Sequence, residues 1–429
     1  MVINKQIDRQ HLSIKINTFP VIRSVKHIIK SVLPGKIYGN FKDAFYQKIY
    51  LYNENVRLNR RRFSNLPQGV NLFVYDLKNS AGEIARSLQQ LLDSAQIPYN
   101  IFDLSDLKKC KLEFKSKKPY SVNLFSCHAT SNASAMMLHL GLDGKKYFNI
   151  GYLAWELEEL PEIYSRHLSM FHEIWTLSDF CTIAIGKKSI VPVITVPLFA
   201  NPKKTILKDG RNHFKIDSNI FIFTFAYDCT SYVSRKNPHA VAKAFLKAFS
   251  PDDHNVGLVL KLNYSNKHRR HIQKLKKALS PYPHIYFIEK YLSDIEKRTL
   301  VQISDAVISL HRSEGFGLLP LEAMSLGTPV ISTAWSGNMQ YMTHMNTALV
   351  GYDLVPVNGK YVGSKPGDGL IWANPNIDEA ITHMHRMVSD SVWRNKLIVE
   401  GKYTANKYFS PENISRIVRD RLKFLELVD

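Results

Sequence analysis

The most constraining feature of this chain is a strand, a glycine turn and a helix in residues 305–326. The apolar run Asp305-Ala306-Val307-Ile308-Ser309-Leu310 predicts a buried strand, and His311-Arg312-Ser313-Glu314-Gly315-Phe316-Gly317-Leu318-Leu319-Pro320-Leu321-Glu322 follows it. Such a corner directs backbone N–H groups and the positive end of a helix at whatever binds above the sheet. The bound group should be anionic, and a phosphate is the usual candidate.

Two carboxylates bracket this turn, Glu314 in the loop and Glu322 one to two turns into the helix. An ionised glutamate only accepts hydrogen bonds, so we expect both to bind hydroxyl groups beside the phosphate. A phosphate flanked by sugar hydroxyls is a nucleotide-sugar. The alternative is an ordinary strand-to-helix corner with two exposed acids. The E-x7-E spacing, the Gly-Phe-Gly turn and the following Gly-Thr-Pro-Val-Ile-Ser strand occur together, which favours the functional interpretation.

The rest of the chain alternates between predicted strands and helices, which is typical of parallel sheets covered by helices. A length of 429 residues favours two domains. We predict an α/β protein of two doubly wound Rossmann-like domains that face each other across a cleft. The predicted parts are a basic helical extension (1–68), an N-terminal domain (69–200), a linker (201–215), a C-terminal domain (216–390) and C-terminal helices that pack back on the N-terminal domain (391–429).

The net charge of +20 suggests an anionic partner. Residues 1–68 hold 13 Lys/Arg and 3 Asp/Glu, which is half of this excess. Within them, Val21, Val25, Ile28, Ile29 and Val32 recur at helical spacing among basic residues, as in helices that lie in a membrane interface. No nucleic-acid-binding signature accompanies the charge, so we expect an anionic membrane surface and no nucleic acid. A basic extension that packs on the protein is the alternative.

The location that follows from these features is the cytoplasm, with peripheral attachment to the inner face of the membrane. No run of about 18 apolar residues is present, and the first ten residues lack the apolar core of a signal peptide. The four cysteines, Cys110, Cys127, Cys181 and Cys229, form no metal-type pair, so we expect reduced thiols.

In the first domain, two places at the carboxyl ends of predicted strands offer polar groups. Gly82 and Glu83 lie in a small-residue loop after the first strand, where a glycine lets an acceptor or a phosphate approach the backbone. His128 follows the strand at 122–127 and is a candidate to bond a sugar hydroxyl or to transfer a proton, although a satisfied surface histidine is the alternative. Residues 108–118 are predicted to be a basic surface loop.

In the second domain, Arg235, Lys236 and Lys261 lie at or just beyond carboxyl ends of predicted strands. Departure of a nucleoside diphosphate needs its developing negative charge to be neutralised, and no Asp-x-Asp metal motif is present. These cations and the Gly315–Leu318 corner would supply the positive charge instead. We therefore expect no cofactor and no metal.

At these residues the chain resembles glycosyltransferase family 4, whose members are retaining enzymes of the two-domain GT-B fold. The resemblance covers roughly residues 69–390. Within the family, the chain is similar to the mannosyl- and rhamnosyltransferase-like members that build bacterial surface polysaccharide. The segments that carry it are His311–Leu318 with Glu322, Phe225–Asp228 with Ser231, Arg235–Pro238, Gly151–Leu157, Glu173–Ser178, Ser336–Asn338, Leu354–Val357 and Trp372–Pro375.

The resemblance implies a role for each candidate residue. Glu314 would contact the hydroxyls of the donor sugar, and Glu322 those of the ribose. Lys236 and Lys261 would hold the diphosphate. The backbone N–H groups of Gly315, Phe316, Gly317 and Leu318 would contact sugar and phosphate. Arg235 and Ser313 are further candidate donor-binding residues. His128 would match the active-site histidine of the first domain.

The predicted function is transfer of a hexose from a nucleotide diphosphate sugar to a saccharide or lipid-linked glycan, with retention at the anomeric carbon. Glu314, His128 and Lys236 are the candidate catalytic residues. Two alternatives stay open. One is a nucleotide-sugar epimerase or a phosphorylase on the same fold, and the other is a scaffold that binds glycan or nucleic acid without catalysis.

Overall fold

The computed structural model describes residues 66–74, 80–129, 137, 139–142, 146–200, 206–263, 265–357, 361 and 369–428. Residues 1–65 of the predicted basic extension lie outside these ranges. Residues 62–429 form one compact unit that contains two six-stranded sheets. The prediction of two doubly wound α/β domains is confirmed.

The first sheet is parallel throughout and has the strand order β2-β1-β3-β4-β5-β6. Its elements, with the helices between them, are β1 (Val70–Val74), α1 (Ser80–Ser94), β2 (Tyr99–Asp103), α2 (Leu107–Ser116), β3 (Val122–His128), β4 (Phe148–Ala154), α3 (Glu162–Leu168), β5 (Glu173–Thr176), α4 (Asp179–Gly186) and β6 (Val193–Thr195).

A buried amide ladder fixes the register of the central strands of this sheet. Asn71 Nδ2 donates to Asn123 Oδ1 at 2.9 Å, and Asn123 Nδ2 donates to Asn149 Oδ1 at 2.8 Å. A one-residue slip would leave these buried amides without partners, which is costly. The ladder therefore determines which residues stand at the carboxyl ends of β3 and β4.

The second sheet is also parallel, in the order β12-β11-β10-β7-β8-β9, and a separate antiparallel hairpin pairs β13 with β14. The elements are α5 (Gly210–His213), β7 (Phe221–Asp228), α6 (Val233–Lys236), α7 (Pro238–Ala248), β8 (Val256–Asn263), α8 (Arg269–Leu279), β9 (Ile285–Ile288), α9 (Asp294–Ile303), β10 (Ala306–Ser309), α10 (Leu318–Leu326), β11 (Val330–Thr333), β12 (Ala348–Val350), β13 (Tyr352–Pro356), β14 (Ile371–Pro375), α11 (Ile377–Ser389), α12 (Ser391–Tyr408) and α13 (Pro411–Phe424).

One element differs from the sequence-based expectation. Residues 108–118 were expected to form a basic surface loop, but most of this segment is helix α2. Asp106 caps the helix by accepting hydrogen bonds from the backbone N–H groups of Lys108 and Lys109. Cys110 and Phe114, four residues apart, are the buried face. Two apolar residues at helical spacing and one cap outweigh the lysines, whose charges remain in solvent.

The connection from β6 to β7 leads from the first sheet to the second, and Gly210–His213 within it is a short helix. After the α12–α13 junction, α13 packs against α1 of the first domain. Arg419 donates to the carbonyl of Ala95, with Nε at 2.8 Å. No helix in the described part of the chain is long and apolar enough to cross a membrane.

Candidate active site

The strand orders place a switch point in each sheet. In the second sheet the chain runs outward from β7 to β9 and returns to the other side of β7 as β10. In the first sheet, β2 and β3 lie on opposite sides of β1. Ligands of open α/β sheets bind at such points, beyond the carboxyl ends of the strands. Arg235 and Lys236 follow β7, Glu314 follows β10, and His128 ends β3, so these four predicted residues belong to the two switch points.

At the second-domain switch point, Glu314 is held by two cations. Lys236 Nζ lies 2.6 Å from Glu314 Oε1, and Arg235 Nη1 lies 3.0 Å from Oε2. Arg235 Nη1 also donates to the backbone carbonyl of Ser313 at 2.8 Å. Glu314 and Arg235 are only 9% and 6% exposed, so the pair forms in a largely dry environment.

The charges within this cluster determine its protonation. Burial alone would raise the pKa of Glu314, but the charges of Lys236 and Arg235 outweigh it and hold the pKa at about 2. Burial likewise opposes the charge of Arg235, and the carboxylates of Glu314 and Glu156 overcome this and raise its pKa. Glu314 is therefore an ionised acceptor at neutral pH, as the interpretation of donor hydroxyl binding requires.

Backbone hydrogen bonds fix the position of Glu314. Its N–H donates to Ser336 Oγ at 2.8 Å, and its carbonyl accepts from the N–H of Gly337 at 2.8 Å. On the other side, Asn237 adopts a left-handed conformation with φ 56° and donates from Nδ2 to the carbonyl of Leu310 at 2.9 Å. The loops after β7, β10 and β11 are thus tied together around one carboxylate.

At the first-domain switch point, His128 is paired with Glu156, which lies just beyond β4. His128 Nε2 and Glu156 Oε2 are 2.8 Å apart. The hydroxyl of Tyr361, which comes from the segment between β13 and β14, donates to the same Oε2 at 2.7 Å. Arg235 Nη2 lies 3.7 Å from the other oxygen, Oε1. Glu156 therefore joins the histidine of the first domain to the cation cluster of the second.

The loops of the two domains also meet directly beside this carboxylate. Ser313 Oγ donates to the backbone carbonyl of Glu156, and Ser178 Oγ, the N-cap of α4, donates to the carbonyl of Gly315 at 2.7 Å. Ser313, which was expected to contact the nucleotide-sugar, therefore makes a hydrogen bond to the first domain in this structure.

A second group of charges surrounds Glu322 and Lys261. Glu83 Oε1 of α1 lies 2.8 Å from Lys297 Nζ of α9, which also contacts Asp294 at 2.9 Å. Burial, together with the Glu83 carboxylate, raises the pKa of Glu322 to about 7. Burial, together with the charge of Lys297, lowers the pKa of Lys261 to about 8.

The first-domain glycine loop differs from its predicted form. Gly82 and Glu83 were expected in a loop, but both lie in the first turn of α1. A glycine so close to a helix end costs little, and a glutamate there is stabilised by the helix dipole. The carboxylate of Glu83 contacts Lys297 of the second domain.

The segment after β10 forms the expected glycine turn into a helix, and the buried side chain of Phe316 anchors it. Gly317 adopts φ +84° and immediately precedes α10, which begins at Leu318. Gly317 has no side chain to cap the helix, so its positive end is left to other partners. Phe316 is buried against Tyr341 and Phe409, at centroid distances of 5.3 and 6.2 Å. Its side chain therefore anchors the corner to the core.

Three residues of this site were not identified from the sequence. Glu156 occurs in the Trp155-Glu156 segment that carries the resemblance, and its position just after a strand was the available signal. Lys297 lies in an ordinary charged helix. Tyr361 gave no signal, because its partner is 205 residues away in the sequence.

Among the residues that the structure describes, no group of three or more His, Cys, Asp or Glu side chains is placed to hold a metal ion. The four cysteines are free, and burial raises the pKa of Cys181 to about 11. A thiol of this kind is not a reactive nucleophile.

Comparison of the fold with solved structures defines its class. A sucrose-phosphate synthase of Thermosynechococcus elongatus aligns with a TM-score of 0.64 and 15% identity, over 84% of this chain and 99% of that one. HepE of Anabaena, solved in complex with UDP and glucose, aligns with a TM-score of 0.60 and 12% identity, over 83% and 99%. At these identities the likeness concerns the fold, which is GT-B, as predicted.

Two sequence comparisons show which proteins this chain is similar to. Residues 227–404 match the family of group 1 glycosyl transferases, and this range includes Arg235, Lys236, Lys261, Glu314 and Glu322. An uncharacterised glycosyltransferase of Methanocaldococcus jannaschii is 26% identical over 163 residues, which is 38% of this chain and 36% of that relative. The chain thus aligns with about a third of this curated relative. The chain is therefore similar in fold to GT-B enzymes and similar in sequence, over residues 227–404, to group 1 glycosyl transferases.

Proposed function

We propose that this protein is a metal-independent, retaining hexosyltransferase of glycosyltransferase family 4. It moves a hexose, of mannose, rhamnose or glucose type, from a nucleotide diphosphate sugar to a saccharide hydroxyl. The observation that carries the proposal is the Glu314 cluster at the switch point of the second sheet. There an ionised acceptor for sugar hydroxyls lies within 3.0 Å of two cations suited to a diphosphate.

The chemistry follows from this arrangement. The acceptor hydroxyl attacks the anomeric carbon from the face of the leaving group, and its proton passes to a phosphate oxygen as the nucleoside diphosphate departs. Lys236, Arg235 and Lys261, with the positive end of α10, neutralise the charge that develops on the diphosphate. Glu314 and His128 hold the hydroxyls of the sugar, and Glu322 holds those of the ribose. The protein contributes positioning and electrostatic stabilisation.

The proposed donor is a nucleotide diphosphate sugar, and its base is to be found by experiment. HepE, which shares this fold, was solved in complex with UDP and glucose. A UDP-sugar is therefore the first donor to test here, followed by those of GDP, dTDP and ADP. A nucleoside diphosphate at 100 times its dissociation constant should stabilise the protein by about 2.7 kcal/mol, measured by thermal unfolding.

Transfer is then measured with the donor that this panel selects. Release of the nucleoside diphosphate only when a saccharide acceptor is present supports transfer, whereas an epimerase or a phosphorylase gives other products. NMR of the product reports whether the anomeric configuration is retained, and activity should persist in EDTA.

Glu314→Ala and Lys236→Ala should each lower kcat/KM by about 100-fold or more. Lys243→Ala, an exposed lysine on α7, is the matched control. Full turnover of both site variants would reject the site assignment and favour a non-catalytic scaffold.

The acceptor and location belong to the same proposal. We place the enzyme in the cytoplasm, peripherally on the inner face of the membrane, where it builds O-antigen, capsule or exopolysaccharide on a lipid-linked glycan. The support is the charge of residues 1–68 and their apolar residues at helical spacing. The full chain should sediment with vesicles that contain an anionic lipid and not with neutral vesicles. Equal sedimentation with both would reject electrostatic attachment.

A further inference from the structure

The histidine of the first domain is held by a carboxylate on which three partners converge. Glu156 Oε2 receives His128 Nε2 at 2.8 Å and the Tyr361 hydroxyl at 2.7 Å. Its other oxygen lies 3.7 Å from Arg235 Nη2. Only 15% of the Glu156 side chain is exposed, so these partners replace most of its contact with water.

The protonation state of Glu156 determines which atoms carry hydrogens. Burial alone would favour the neutral acid, but the adjacent His128, the guanidinium of Arg235 and the hydrogen bond from Tyr361 outweigh it, so the pKa of Glu156 lies well below its usual range. An ionised carboxylate has no hydrogen to donate. Both of its short contacts must therefore come from donors, namely the Tyr361 hydroxyl and an N–H at His128 Nε2.

With the hydrogen on Nε2, the second ring nitrogen of the neutral imidazole, Nδ1, is a hydrogen-bond acceptor. In a neutral imidazole with its hydrogen on Nε2, Nδ1 carries a lone pair and can only accept. His128 Nδ1 is buried and has no hydrogen-bond partner among the described residues. Buried polar atoms are nearly always paired in folded proteins, so an unpaired acceptor at a sheet switch point indicates a place for a ligand donor. The Trp155 ring, 5.3 Å away by centroids, packs edge-on against the imidazole.

Tyr361 brings the second domain into this arrangement. It follows β13 of the second domain but is only 2% exposed, within the core cluster of the first domain. Its ring lies 5.1 Å from Tyr232 and 6.2 Å from Trp155 by centroids. The partner set of Glu156 is therefore complete only when the two domains are together.

We propose that Glu156 and Tyr361 are positioning residues that hold His128 with its hydrogen on Nε2. Nδ1 then accepts a hydrogen bond from a sugar hydroxyl in the cleft. This rests on the proposed function for the identity of the ligand, whereas the tautomer itself can be tested without any ligand. Because Tyr361 follows β13, the set of partners around Glu156 draws on residues of both domains.

The first test measures the tautomer directly in the full-length protein without ligand. Long-range proton–nitrogen NMR of ¹⁵N-histidine-labelled protein distinguishes Nε2–H from Nδ1–H, and a His128→Gln sample assigns the signal. We expect Nε2–H in the native protein and a substantial Nδ1–H population in Glu156→Gln, whose amide can also donate. Tyr361→Phe retains the ring and leaves Glu156 as an acceptor, so it should preserve the fold and the Nε2–H form while loosening the orientation of the carboxylate. An Nδ1–H native state, or a tautomer unchanged in Glu156→Gln, would overturn the proposal.

The second test asks whether the positioned nitrogen meets a substrate hydroxyl. With the nucleotide-sugar selected above, Glu156→Gln should lower kcat/KM by about 10- to 100-fold. A deoxy sugar that lacks the bonded hydroxyl should be a poor substrate for the native enzyme and lose little more in Glu156→Gln. The matched control is Glu159→Gln, a nearby carboxylate paired with Lys187 outside this cluster. Additive losses for every deoxy sugar would overturn the hydroxyl contact.

The two tests separate this inference from the function on which it rests. If no nucleotide stabilises the protein but the tautomer responds as expected, the proposed function fails and the positioning pair stands. If transfer is found but the native tautomer is Nδ1–H, the function stands and the positioning pair fails.

Discussion

At the scale of single residues, the two groups expected around the nucleotide have pKa values moved toward neutrality from opposite sides. Glu322 is raised to about 7 by burial and by Glu83. Lys261 is lowered to about 8 by burial and by Lys297. A ribose hydroxyl binds best to the ionised form of Glu322, and a diphosphate binds best to the charged form of Lys261. Both forms coexist mainly between these two values.

We therefore expect a bell-shaped pH dependence of nucleoside diphosphate affinity, with its maximum between about pH 7 and 8. Below the pKa of Glu322 the carboxylate gains a proton, and above the pKa of Lys261 the ammonium loses one. On either side the affinity should fall by up to about tenfold per pH unit. Isothermal titration calorimetry across this pH range provides the measurement.

Two variants assign the limbs of that profile. Glu322→Gln should remove the acid limb, and Lys261→Met should remove the alkaline limb while weakening binding at pH 7. Lys274→Met, an exposed lysine on α8, should leave the profile unchanged. A profile that keeps both limbs in both variants would assign the titration to other groups.

At the scale of elements, the sequence predicted most strands and helices because each is marked by its own pattern. The buried apolar run at residues 305–310 marked β10, and in the structure Asn376 and Ser410 cap α11 and α13. The glycine corner was predictable for the same reason. The prediction of a loop at residues 108–118 was wrong because the buried face of α2 contains only Cys110 and Phe114, and the lysines around them are typical of a loop. The prediction of a loop at Gly82 and Glu83 was wrong because the small residues there suit either a loop or the first turn of a helix.

The glycine corner after β10 depends on a second glycine, Gly337, in the loop after β11. Its N–H donates to the carbonyl of Glu314, and a Cβ at this position would collide with the carbonyl of Gly315. Gly337→Ala should displace the corner, lower the free energy of unfolding by about 1–3 kcal/mol and weaken nucleoside diphosphate binding. Urea unfolding and calorimetry measure the two effects.

A second glycine substitution provides the control for that experiment. Gly186, the last residue of α4, has open space where a Cβ would stand. Gly186→Ala should change the free energy of unfolding by no more than about 0.5 kcal/mol and leave binding unchanged. Equal behaviour of the two variants would show that the corner tolerates the added methyl group.

At the scale of the whole molecule, the site depends on contacts between domains that local patterns do not encode. Glu314, Arg235 and Lys236 were predictable because all three follow strands of one sheet, whose carboxyl ends meet at one edge. The Tyr361–Glu156 contact joins residues from different domains, and no periodicity or cap marks it. Sequence patterns therefore predicted the cluster around Glu314 more completely than its junction with the first domain.

The C-terminal helix α13 holds the two domains together through a buried ion pair. Arg421 donates from Nε to Glu173 Oε1 at 2.8 Å, and Trp175 Nε1 donates to the same oxygen at 2.7 Å. Glu173 has no exposed surface, so loss of the arginine would leave a carboxylate without a counter-charge inside the first domain. Removing one member of such a pair typically costs about 3–5 kcal/mol.

We therefore expect Arg421→Met to lower the free energy of unfolding by about 3–5 kcal/mol and to expose α13 to proteolysis. Arg416→Met, an exposed arginine on the same helix, should change it by less than about 0.5 kcal/mol. In Glu173→Gln the charge is already absent, so adding Arg421→Met should cost less than it does in the native background. Urea unfolding of the four proteins completes this cycle. Equal losses in both backgrounds would mean that α13 is held by its apolar contacts and not by this pair.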